Sequence, residues 1–143
     1  MVQAAGYSGT PLATKLGIKD GGMLALVDAP KAWSVPDLPD GVTVARGTAE
    51  SRRRGNGLAA VDVALVFCRA AVEVAAVPSL VGSLAAGSAL WVAWPRKAGG
   101  HVSDVDENLL REVLLPTGVV DVKVAALDVD WSALKFVWRK ENR

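Results

Sequence analysis

The chain has 143 residues, 51% of them hydrophobic and 22% charged, with 16 basic against 15 acidic side chains. That is enough apolar material for a core without disulfides, and the single cysteine, Cys68, cannot form one internally, so a reducing, cytoplasmic compartment is expected. A net charge of +1 gives no electrostatic argument for nucleic acid or an anionic membrane, residues 1–12 lack the basic and apolar regions of a signal peptide, and no apolar run reaches the ~20 residues that span a bilayer.

In chain order, Thr10 and Pro11 read as the cap and first position of a short helix that Gly17 ends. Residues 23–28 are an apolar run after Gly21 and Gly22, the pattern of a parallel strand covered on both faces. Residues 29–40 are Pro-rich loop, and residues 42–45 form a weaker second strand. Residues 46–57, which hold Arg52, Arg53 and Arg54 between glycines, read as a mobile loop. Residues 61–68 are the clearest buried strand. Residues 70–86 carry Val77, Leu80, Val81 and Leu84 at helical spacing, and Pro78 divides that helix into two pieces.

A strand over 88–94 follows Gly87 and stops at Pro95, and 96–102 is a loop. Ser103 and Asp106 form a Ser-x-x-Asp start signal for a helix reaching about Leu115, with Val105, Leu109, Val113 and Leu114 as its apolar stripe. Residues 119–127 and 132–139 are strands joined by the tight turn 128–130, too short for a parallel return, so they pair antiparallel. The order implies one α/β domain over 1–143: a three-layer, Rossmann-like, mostly parallel sheet of about six strands, with helices on both faces and a C-terminal antiparallel hairpin.

The second half, with its strand, Pro78 helix, Gly87 turn, strand, Ser103 helix and hairpin, resembles the C-terminal half of Rossmann-like methyltransferases. The turn after the first strand departs from that family. Where a Gly-rich, cofactor-cradling turn belongs, the chain has Asp28-Ala-Pro-Lys-Ala-Trp33, and Pro30 removes a backbone donor. The expectation is therefore a truncated methyltransferase-like scaffold without a nucleotide seat and with no cofactor. Five words in order span nearly the whole chain: Gly6-Tyr-Ser-Gly-Thr-Pro-Leu12, Lys15-Leu-Gly-Ile18, Leu90-Trp-Val-Ala-Trp-Pro95, Val120-Asp-Val-Lys-Val124 and Trp131-Ser-Ala-Leu-Lys135. They resemble a small bacterial family catalogued as a domain of unknown function, a likeness that implies fold and compartment but no activity.

Ligands of open α/β sheets bind beyond the carboxyl ends of the parallel strands. That rule gathers Asp28, Arg69, Trp94, Arg96, Lys97, His101, Ser103 and Asp104 as candidate ligand-binding residues, with the Ser103 helix aiming its N-terminus at the same edge. The cations suit an anionic small molecule, although solvated loop charges are the plainer account. His101 with Asp104 is a candidate acid/base pair, and Arg69 beside Cys68 could activate its thiol, against a surface histidine and a buried structural cysteine. One histidine and one cysteine do not make a zinc site. In the hairpin, Asp121 and Lys123 share a face by period two, and the three-residue turn sets Lys123 opposite Lys135. These three form a candidate anion cluster, or a plain salt bridge. Trp91 and Trp94 face opposite sides of their strand, and a half-exposed Trp33 or Trp138 would suit an interface.

The leading functional expectation is a non-catalytic binding or protein-interaction domain. The alternative is an enzyme or an anionic-ligand binder using the carboxyl edge. A homodimer through the hairpin edge is a further expectation.

Overall fold

The computed structural model describes residues 9–143, so residues 6–8 of the first motif word lie outside it. Six strands form one sheet in the order β2-β1-β3-β4-β6-β5: β1 (Met23–Val27), β2 (Thr43–Gly47), β3 (Val63–Phe67), β4 (Ala89–Pro95), β5 (Val119–Ala126) and β6 (Trp131–Trp138). β1 pairs in parallel with β2 and with β3, and β3 with β4, whereas β6 runs against both β4 and β5. The sheet is a Rossmann-like α/β arrangement. Strand order reverses between β1 and β3, which is the topological switch point.

Among the described residues there are five α-helices, α1 (Leu12–Leu16), α2 (Ala49–Arg54), α3 (Ala71–Val74), α4 (Pro78–Val81) and α5 (Glu107–Leu114). Pro78 occupies the first turn of α4, where its missing N–H leaves no intrahelical bond unmade, so the expected break falls as read. Pro11 is the cap of α1 rather than its first residue, and Gly17 exits in the left-handed conformation (φ 80°). The Arg-rich stretch is corrected from loop to helix. Thr48 accepts from the Ser51 N–H while the Ser51 hydroxyl accepts from the Thr48 N–H, a reciprocal cap that nucleates α2.

Two apolar layers flank the sheet. One face of β1, β3, β4 and β6 packs Val66, Val92, Leu134 and Phe136 against Val74, Leu80, Val81, Leu110 and Leu114 of α3, α4 and α5. The other face packs Leu26, Leu65, Phe67 and Trp91 against Leu16 of α1 and Trp33 and Val35 of the β1–β2 connection. The layers are therefore unequal. The connection that would normally be a helix is the irregular segment 28–42, and the Pro-rich composition, with three prolines between Pro30 and Pro39, explains why no ladder of N–H donors forms there.

Candidate functional site

The carboxyl edge begins with Asp28. Its backbone is left-handed (φ 56°), a conformation that aspartate tolerates better than most residues at a cost of roughly 1 kcal/mol. Two contacts hold it there. Its N–H donates to the Gly47 carbonyl (2.8 Å), and its Oδ2 accepts from the Ala49 N–H (3.2 Å), the first residue of α2. Arg46, at the carboxyl end of β2, then fixes the following turn by donating to the carbonyls of Trp33 (2.6 Å), Pro30 (2.8 Å) and Lys31 (3.2 Å). On the β2 side of β1, therefore, a carboxylate is bonded to the start of α2 and three carbonyls converge on one guanidinium.

Cys68 lies just beyond β3, buried among the helix-side apolar residues. Burial pushes its thiol up to about 12, with Glu73 and Asp28 adding to the rise and Arg69 opposing it. The expected activation by Arg69 is thus outweighed, and the thiol stays protonated and inert at neutral pH. The Arg69 guanidinium instead lies 5.4 Å from the Trp131 ring centroid, at the end of a Trp33–Phe67–Trp131 series of edge-to-face rings 5.0 and 4.9 Å apart. The Trp33 indole N–H donates to Asp128 (2.9 Å) and that of Trp138 to the Leu84 carbonyl (2.6 Å), so both rings are anchored within the fold.

Three further expectations are corrected here. His101 pairs with Asp130 of the β5–β6 turn (2.8 Å) and not with Asp104, whose Oδ1 accepts from the Ala71 N–H (2.7 Å). Asp106, not Ser103, caps α5 by accepting from the Leu109 N–H (2.9 Å); Ser103 donates to the Arg69 carbonyl and accepts from the Val105 N–H. The cause is the tie of residues 103–105 to the β3–α3 turn, which delays the helix by three residues. Finally, Asp121 and Lys123 do not share a face. A bulge at Val122 puts Asp121 opposite Phe136 and Lys123 opposite Lys135, neighbours on β6 that point to opposite sides. Asp121 pairs with Arg111 of α5 (2.9 Å), which holds its carboxyl below the ordinary range, while burial first and then Lys123 lower the Lys135 ammonium.

What the fold does gather is a cleft of about 380 Å³ between the end of β4, the start of β6 and the entry to α5. Five expected residues line it: Trp94, Arg96, Lys97, Ser103 and Asp104. Asp28, Arg69 and His101 lie outside this lining. Sequence reasoning missed Asp106 and Ser132, which also line it. Ser132 was findable only by knowing that β6 inserts beside β4, where it pairs with Trp94. Arg96 is steadied by donating to the Asp128 carbonyl (3.2 Å). Among the described residues no three potential metal-ligating side chains converge, and no helix is long and apolar enough to cross a membrane. No family model matches the chain, and no curated protein matches it in sequence.

Proposed function

We propose that this chain is a non-catalytic binding domain on a Rossmann-like scaffold, working in the cytoplasm, and a member of the small bacterial family whose motif words it shares. The observation that carries the reading is how the turn after β1 is built, on the side of β1 that faces β2. A phosphate or adenosine-bearing cofactor there needs N–H donors and room, and finds the Asp28 carboxylate already bonded to Ala49 and the 30–33 turn tied to Arg46. The cleft beside β4 supplies charged and hydroxyl groups but no activated nucleophile, since Cys68 lies buried among the apolar residues and His101 is engaged with Asp130. A free buried thiol and only one cysteine fit a reducing compartment.

A thermal-shift series tests this. Adenosylmethionine, nicotinamide dinucleotides and nucleoside triphosphates are expected to leave the melting temperature unchanged, because a ligand stabilises only the state that binds it. A saturable rise with any of them would overturn the reading. A second reading, an anionic-ligand binder or methyltransferase-like enzyme, is favoured by Arg96 and Lys97 lining one cleft. It requires inorganic phosphate to raise the melting temperature, with the effect fading as salt increases.

A further inference from the structure

We infer that the cleft beside β4 takes a small zwitterion, a molecule carrying a carboxylate or similar anionic group and an ammonium group on one short skeleton. This deepens the binding reading above and rests on it. Arg96 and Lys97 line the cleft together with Asp104 and Asp106, yet among the described residues no ion pair joins any of the four. Charges elsewhere in the chain do close on one another: Arg111 reaches both Glu107 and Asp121, and Arg54 reaches Glu50.

The reason they stay apart in the cleft is that three of them are held by backbone. Asp104 accepts from Ala71, Asp106 from Leu109, and Arg96 donates to the Asp128 carbonyl. Each is fixed in place with capacity to spare, since a carboxylate offers about four acceptor sites and a guanidinium five donors. The Lys97 ammonium and the Ser132 hydroxyl have no hydrogen-bond partner among the described residues. A lone anion would be drawn by Arg96 and Lys97 and repelled by Asp104 and Asp106, and a lone cation the reverse. A molecule bearing both signs is attracted by all four, and no internal pair has to break to admit it. Trp94, Pro95, Ala98 and Val105 give the same cleft an apolar wall for the rest of the skeleton, and its volume is in the range of small-molecule sites.

The test is calorimetric titration of the full chain with the proteinogenic L-amino acids, and with N-acetyl-leucine, leucinamide and inorganic phosphate as single-sign probes. Apolar amino acids are expected to bind saturably, and blocking either charged end is expected to weaken binding about tenfold, the loss of one charge-assisted contact. Lys97→Gln and Asp106→Asn should each weaken the amino acid by about tenfold with the melting temperature unchanged, because asparagine caps a helix as well as aspartate does. If N-acetyl-leucine or phosphate binds as tightly as leucine, the zwitterion is overturned and the binding domain stands. If no probe of any class binds, the zwitterion is overturned, and the binding domain is judged by the cofactor thermal-shift series alone.

Discussion

Lys135 shows how a single residue records its surroundings. Its ammonium lies 5.9 Å from the Trp91 ring centroid, at the outer reach of a cation–π contact, and faces Lys123 across the hairpin. Burial and that like charge lower its pKa on folding. Below the lowered value both the folded and unfolded chains carry the proton, and the penalty is fully present. Between the lowered value and the ordinary lysine value of about 10.4 the unfolded chain binds more protons, so stability rises with pH. Lys135→Met is therefore expected to stabilise the protein by roughly 0.2–1 kcal/mol at pH 7, the size of a like-charge cross-strand pair. The gain should shrink as pH climbs towards 10, measured by urea unfolding at a series of pH values. The opposition of the two lysines was legible from the three-residue turn. The face of Asp121 was not, because period-two counting assumes that no residue is inserted, and the bulge at Val122 inserts one.

At the scale of elements, hydrophobic periodicity located β1, β3, β4 and the hairpin to within a residue or two, because buried strands must be apolar throughout. The connection between β1 and β2 resisted such reading. Its order comes from Arg46, whose three carbonyl bonds join residues 13 to 16 positions apart, and no local pattern announces a guanidinium recruited from the next strand. α2 hid for a related reason: the reciprocal Thr48–Ser51 cap sits ahead of a run of arginines that composition alone marks as loop. Replacing Arg46 by Met removes charge-assisted bonds worth about 1.5 kcal/mol each where water is excluded, and less at this exposed place. The expected outcome is faster hydrogen exchange at residues 28–33, with the exchange of β3 and β4 unchanged. Equal acceleration across all strands would show that the loop is not an independent unit of stability.

For the whole molecule, the β5 edge of the sheet bears on self-association. β5 is an outer strand, and the uncovered edge led to the expectation of a homodimer. The structure supplies two deterrents to such pairing, the bulge at Val122 and the exposed Lys123, since a bulge disrupts the ladder and lysine on an edge resists a second strand. Light scattering is accordingly expected to report a monomer over a wide concentration range, and Lys123→Val to increase self-association. A dimer in the unaltered chain that disperses in high salt no more than in low would contradict this. The candidate cleft was half legible. The strand-end rule found Trp94, Arg96, Lys97, Ser103 and Asp104, but it also swept in Asp28, Arg69 and His101, because it ranks residues by sequence position and not by where along the edge the cleft falls.

The left-handed turn at Asp28 has a consequence for substitution. A glycine there would inherit the backbone unchanged, since φ 56° is native to it, while removing the carboxylate that accepts from the Ala49 N–H. Asp28→Gly would thus keep the course of the chain out of β1 and loosen only the tether between that turn and the start of α2.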